Sequence, residues 1–310
     1  MIEDNVEIGS LELIGNTPLI KLRKITPDNG VEIWLKVEIG NPTGSYKDRV
    51  ALSVLGNAVE TGQVKKGGTV IEYTGGSTGS SLAFVSAALG LNFTAVFSDA
   101  FSLIKKQTME AFGANVIVIK SNGKGITPEL INEMKLKAYE LANEPNVFYA
   151  DQFGSNHVVK GYFPMGREIS LKLDEITVFC AAVGTGGALM GTWEGLQDRN
   201  TSLVAFEPRQ SPFLTTGKGG SHNVEGIGVG FEPPFLNRSL LSDIRSVDQE
   251  DAFAMCRKLA SIEGIFCGAS TGLNVVGALE IAKGLKSGSK IVTLACDNGI
   301  KYLGSHVYNQ

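Results

Sequence analysis

The 310-residue sequence predicts an α/β protein of two domains, each a mostly parallel twisted sheet flanked by helices. Three observations predict it. Apolar runs of strand length alternate with runs of helical period through most of the chain. Two of the strand runs, "VIVI" and "VFCAAV", are continuously apolar, as strands covered on both faces are. Glycine is plentiful, 38 residues, and gathers in turns that join a strand to a helix.

The elements follow in order. Segment 31–37 alternates like a strand. A helix over 47–62 follows the turn pairs Asn41-Pro42 and Thr43-Gly44, because proline fixes φ and glycine permits positive φ. Its apolar residues Val50, Ala51, Val54, Leu55 and Ala58 recur at helical spacing, and Ser45 or Thr43 is expected to cap it. Strand 69–73 and helix 78–90 come next, then strand 94–97, helix 102–112, strand 115–119 and helix 128–142. After the "NEP" turn the pattern resumes with helix 155–172, strand 177–183, helix 187–198 and strand 203–206. Helix 248–262, a short strand 265–267, helix 271–285 and strand 291–295 close the chain. Segment 211–241 is rich in glycine, proline and polar residues, and loops of that length in compact domains are usually functional. The break near 143–155 is the expected domain boundary.

Composition narrows the function. A net charge of −4 with scattered basic residues argues against a nucleic-acid partner. The pairs Lys65-Lys66 and Lys105-Lys106 read as ordinary surface. The N-terminal "MIEDNVEIGS" lacks the basic and apolar regions of a signal peptide, and the longest apolar stretch, 82–97, is interrupted by Ser86, Gly90, Asn92 and Thr94. No membrane span is expected. Cys180, Cys256, Cys267 and Cys296 lie far apart without a CxxC pair, which suggests buried thiols in a reducing cytoplasm. With only His157, His222 and His306 available, a histidine-rich metal site is not expected, and no Gly-x-Ser-x-Gly elbow supports a serine hydrolase.

Three glycine turns, "TGGSTG" at 74–79, "GTGG" at 184–187 and "GASTG" at 268–272, each precede a helix. Such turns present backbone N–H groups, reinforced by the helix dipole, and hold anions; each also reads as a plain tight turn. Known nucleotide signatures fail. Lys124 and Lys218 are followed by glycine where a P-loop needs Ser or Thr. Leu189 stands where the dinucleotide fingerprint starting at Gly184 needs its third glycine, and "GIGVG" at 226–230 has no strand before it. A phosphate monoester suits "GTGG" better.

Lys47 opens a helix at its positive end, where a lysine is electrostatically misplaced. It reads either as a solvated side chain or as an amine kept uncharged to attack a carbonyl carbon. A lysine fit for imine formation, a phosphate-sized loop and a second anion loop together specify pyridoxal phosphate acting on amino acids.

"NPTGSYKDR" around Lys47 resembles the lysine motif of the cysteine synthase and cystathionine β-synthase family of fold type II pyridoxal-phosphate enzymes. "ELIGNTPLIKL", "EYTGGSTGSSLA", "DQFGSN", "GTGGALMG", "EGIGVGF", "EGIFCGASTG" and "DNGIKYLGS" have counterparts in the same order. The resemblance implies that Lys47 forms an imine with the cofactor and acts as acid and base. It implies that Gly184, Thr185, Gly186 and Gly187 bind the phosphate and that Ser270 faces the pyridine nitrogen. Thr74, Gly75, Gly76, Ser77 and Thr78, with Gln152, would take the substrate carboxylate, and Gly226 would border the substrate. Ser77 stands where the family's Thr-Ser-Gly-Asn-Thr-Gly loop places an asparagine on the cofactor's ring oxygen. Gly75 replaces the serine of that loop, and Ala188 replaces a threonine after the phosphate glycines; these departures bear on substrate choice.

The division implied is a smaller mobile domain, 41–150, carrying the carboxylate loop, and a larger one, 1–40 plus 151–310, holding the phosphate, with the cofactor in the cleft between them. The activity implied is β-replacement on a serine- or cysteine-type amino acid by a small nucleophile, through an aminoacrylate, in a cytoplasmic homodimer. β-Elimination, as in a cysteine desulfhydrase or hydroxyamino-acid dehydratase, is the alternative, and a catalytically silent amino-acid-binding protein stands behind it. Glu232, just past "GIGVGF", is a further candidate to activate a water or thiol, against its reading as a solvated charge.

Overall fold

Parallel strands need helix-length crossovers, so a chain that alternates the two builds open sheets with helices packed over them. The computed structural model describes residues 9–123, 125–198 and 200–309; the first eight residues of the acidic N-terminus and Lys124 lie outside them. In chain order the elements are β1 (Leu19–Lys21), β2 (Glu32–Val37), α1 (Lys47–Glu60), β3 (Thr69–Tyr73), α2 (Ser77–Ala88) and β4 (Asn92–Ser98). Then come α3 (Leu103–Ala111), β5 (Asn115–Ile119), α4 (Pro128–Ala142), β6 (Val147–Tyr149), α5 (His157–Ser170) and β7 (Val178–Ala182). The chain closes with α6 (Gly187–Gly195), β8 (Ser202–Pro208), α7 (Phe213–Thr216), β9 (Asp243–Val247), α8 (Gln249–Lys258), α9 (Ala269–Ala282) and β10 (Lys290–Ala295).

Two compact units result. One takes in Asn41–Gly161 with the chain before Gly15; the other takes in Gly15–Gly40 and Tyr162–Gln310. The first holds a four-stranded parallel sheet in the order β5-β4-β3-β6. Its core packs Ile71, Tyr73 and Val96 against Leu130, Met134 and Ala138 of α4. The second holds a six-stranded sheet in the order β1-β2-β10-β7-β8-β9, parallel except for β1, which runs antiparallel on β2. Ile33, Leu35, Cys180, Phe206, Leu273 and Ile291 are among its buried core.

The expected alternation is present, with differences that have physical reasons. β1 and β6 have only three residues each, too few to show a period. β9, "DIRSV", is an edge strand with mostly half-buried side chains, so it carries no apolar run. The short strand expected at 265–267 is a single antiparallel bridge between Cys267 and Asn298. The helix expected over 248–262 ends at Lys258 and widens into a π turn, Leu259–Glu263, which Gly264 closes at φ 72°. Thr43 does not cap α1, whereas the Ser45 hydroxyl accepts from the N–H of its first residue, Lys47, at 3.3 Å. Tyr46 occupies the cap position without a side-chain bond, while Thr43 is drawn to Asp48.

The second unit shows what holds α6 in place. A Cβ on Gly166 of α5 would lie 2.0 Å from the Thr192 carbonyl oxygen, and one on Gly195 would lie 2.1 Å from that of Phe163. The two helices therefore touch backbone to backbone, and no side chain fits at either crossing. Gly166→Ala is expected to destabilise the protein by about 1–3 kcal/mol through overpacking, read as a lower urea midpoint. An unchanged midpoint would show that the crossing adjusts freely.

Candidate active site

In the first unit, Lys47 is the first residue of α1 and is half-buried, its Nζ 4.4 Å from the centre of the Tyr46 ring. The turn before it is fixed by Asp48. The Thr43 N–H and hydroxyl donate to the two oxygens of its buried carboxylate at 2.8 and 2.6 Å. That carboxylate lies in the first turn of α1, where negative charge complements the helix dipole. The Thr43 hydroxyl also lies 3.3 Å from the Ser81 hydroxyl of α2, so the turn bearing Lys47 is linked to the helix that follows the 74–78 loop.

That loop leaves the C-terminal end of β3. Thr74 Oγ1 accepts from the N–H groups of Gly76 and Gly79 at 3.0 and 3.2 Å, curling the chain into α2. Gly76 takes φ 120°, which favours glycine, and a Cβ there would lie 2.5 Å from Lys105 Cδ. A Cβ on Gly75 would lie 3.0 Å from the Phe101 ring, so the phenyl group already fills the side of the loop where a side chain would start. Thr78 Oγ1 donates to Gln152 Oε1 at 2.8 Å, and Gln152 Nε2 donates to the Tyr73 carbonyl at 3.1 Å. Thr74, Gly75, Gly76, Ser77, Thr78 and Gln152 are thus brought together. Lys105 corrects the surface reading, being 2% exposed with its stem laid over Gly76. Long aliphatic stems bury readily, and a Lys-Lys pair does not reveal which member faces inward.

In the second unit, "GTGG" leaves the C-terminal end of β7. A Cβ on Gly184 would lie 2.3 Å from the Gly226 carbonyl oxygen, and one on Gly186, at φ 89°, would lie 2.7 Å from the Leu236 nitrogen. Thr185 accepts from the Phe235 N–H at 3.1 Å through its carbonyl and from the Gly187 N–H at 3.2 Å through its hydroxyl. Gly184, Thr185, Gly186, Gly187 and Gly226 therefore share one backbone-lined cradle at the N-terminus of α6. Ser270 sits in the first turn of α9, 6% exposed. α9 is tied to its sheet by buried polar bonds. Asn274 accepts from the Ala182 N–H at 2.7 Å and donates to the Leu294 carbonyl at 2.9 Å, while Thr271 Oγ1 accepts from the Cys296 N–H at 3.0 Å.

Segment 211–241 is anchored by two charged residues that sequence reasoning missed. The buried Glu207 carboxylate accepts from the Leu214 and Thr215 N–H groups at 2.6 and 3.1 Å, at the start of α7. Arg238 donates to the Leu214 carbonyl at 2.8 Å and grips Glu232 at both oxygens, 2.7 and 2.6 Å. Those bonds hold the exposed Glu232 carboxyl below the usual range, so it stands as an ion-paired surface charge. Cys180, Cys256, Cys267 and Cys296 are all buried, and none is in a disulfide.

Pyridoxal phosphate offers an aldehyde, a phosphate and a pyridine nitrogen. The first unit presents a lysine amine; the second presents a glycine cradle at a helix N-terminus, where Gly184 and Gly186 admit no Cβ, and a serine hydroxyl at a second helix N-terminus. Donor set and cradle fit the group. A family model described as "Pyridoxal-phosphate dependent enzyme" matches residues 11–297. The chain belongs to that family. Within it, the chain is 35% identical over 303 residues to a cysteine synthase of Staphylococcus aureus, covering 96% of each. An O-ureido-L-serine synthase structure superposes with a TM-score of 0.90 at 32% identity, covering 96% of this chain and 94% of that one. An O-acetylserine-dependent cystathionine β-synthase from Helicobacter pylori gives 0.89 at 33% identity, covering 97% and 98%. Among the described residues, no helix is long and apolar enough to cross a membrane.

Gly184→Ala places a methyl against the Gly226 carbonyl, a strain of about 1–3 kcal/mol. Pyridoxal-phosphate affinity is expected to fall about tenfold, measured by titrating the apoenzyme. Unchanged affinity would separate Gly184 from the cradle.

Proposed function

We propose that the protein exchanges the β-substituent of an activated serine for a small nucleophile, sulfide foremost. The observation that carries this reading is the match along nearly the whole of both chains to an enzyme named cysteine synthase. The reaction class is pyridoxal-phosphate-dependent β-replacement, and elimination is not favoured.

When bound, pyridoxal phosphate supplies an electron sink conjugated to the substrate's Cα, which acidifies the Cα proton and lets the β-substituent leave. Lys47 would hold the cofactor's aldehyde carbon between turnovers, and its Nζ, tethered beside Cα, would take the Cα proton and later return it, so that proximity supplies much of the acceleration. Gly184, Thr185, Gly186 and Gly187 hold the phosphate through backbone N–H groups and one hydroxyl. Ser270 would meet the ring nitrogen with a neutral hydroxyl, which carries no charge to hold a proton there. Thr74, Gly75, Gly76, Ser77, Thr78 and Gln152 hold the substrate carboxylate, with Ser77 also reaching toward the cofactor and Gly226 bordering the substrate. A smaller mobile part, 41–150, a larger part, 1–40 plus 151–310, a homodimer and a cytoplasmic location belong to the same proposal.

Lys47→Ala is expected to lower kcat about a thousandfold and to remove the borohydride-reducible adduct from the peptide that carries it. An adduct that persists elsewhere would reassign the amine. Product analysis with O-acetylserine, with and without sulfide, tests the reaction. Cysteine formation supports replacement, and pyruvate with ammonia under both conditions overturns it.

A further inference from the structure

One buried acid has no part in the chemistry above. Glu72 lies in β3, the strand that delivers the 74–78 loop, and is fully buried. Its Oε2 accepts from the Gln152 backbone N–H at 2.9 Å, while its Oε1 is buried with no hydrogen-bond partner. Gln152 carries that contact outward. Its side chain bonds both the Tyr73 carbonyl and the Thr78 hydroxyl. An unsatisfied oxygen is far less costly on a neutral acid than on a carboxylate, because burial penalises charge much more than polarity.

We propose that Glu72 is a positioning residue for the substrate-carboxylate loop: kept as the uncharged acid, it fixes Gln152 against Thr78, and its ionisation weakens the loop's hold on the substrate carboxylate. The proposal rests on the reading that Thr78 and Gln152 take that carboxylate.

The surroundings favour the neutral acid. Asp151 faces Glu72 from the turn after β6, Tyr73 from β3 itself and Tyr149 from β6, with Tyr139 of α4 beside the two tyrosines. None of these offers a positive charge. Loss of water around the buried carboxyl pushes its pKa up to about 8, opposed by the Gln152 N–H and reinforced by Asp151. Below about 8 the acid is neutral; above it, a negative charge lies against the Gln152 N–H, directly behind the binding pair.

The test uses the holoenzyme and L-methionine, an amino acid without a β leaving group, with Kd read from the cofactor's absorption between pH 6.5 and 9.5. Titration of the ligand's own amine affects every variant alike, so the ratio of wild-type to Glu72→Gln Kd isolates this group. That ratio is expected to rise on the order of threefold to tenfold across the range, with KM following it and kcat not. Carbon-13 NMR of the glutamate carboxyls supplies a readout that needs no variant. The Glu72 signal, assigned through the Gln152 amide, should titrate near 8 and move higher when L-methionine binds, as reciprocal linkage requires. Titration in the ordinary carboxyl range, or a flat ratio, overturns the proposal. Thr78→Val is the control: if it leaves L-methionine binding unchanged, the carboxylate-loop reading fails and takes this proposal with it.

Discussion

Parallel strands covered on both faces leave one place where polar groups can meet a ligand, the turns at their C-terminal ends. Everything distinctive about this protein follows from that constraint. β3, β7 and the segment before α9 each end in a glycine turn, and each turn opens a helix whose first N–H groups lack partners within it. In the reading proposed above, the positive end of a helix stands wherever an anion is held; backbone N–H groups that glycine leaves accessible share that task with the side chains of Thr78, Gln152, Thr185 and Ser270.

That economy at the turns places demands on the layers behind them. Asn274 spans β7 and β10 from within α9, and Thr271 meets the Cys296 N–H, so the first turn of α9 cannot drift from the strand ends. Glu207 performs a similar task for α7, and Asp48 for the turn before Lys47. In each case a buried polar side chain satisfies backbone groups that would otherwise be stranded, and in doing so sets the position of a loop.

The sequence revealed those parts of the site that depend on local conformation. Gly76 and Gly186 adopt positive φ, so their identity is dictated by the turn itself and shows in the sequence. Lys47 stood out as a candidate because its place at a helix mouth, which the structure shows, is unusual. Long-range partners were not legible. Lys105 looks like any helix-surface lysine until α3 is laid over Gly76, and Gly75 looks like a lost side chain until the Phe101 ring is seen in its space. Glu72 did leave a signal, an acid inside the otherwise apolar "TVIEY" strand. A buried polar residue is informative in a way that an exposed apolar one is not.

The pairing of β2 with β10 has a consequence for how the chain is made. Ile33 is in register with Ile291, so the second unit's sheet joins a strand from near the start of the chain to the last strand in it. At synthesis rates of about 5–20 residues per second, β2 waits roughly ten to fifty seconds for its partner to appear. Over that interval β1 and β2 have only each other, while the Asn41–Gly161 sheet acquires all its strands and can form on the ribosome. The order of assembly is thereby set by connectivity. The sheet of the unit carrying Lys47 has its strands first, and the sheet of the unit carrying the 184–187 glycine turn closes only once β10 has been made. A chain that stops before β10 leaves β2 with an unpaired edge, the kind of surface through which nascent proteins aggregate.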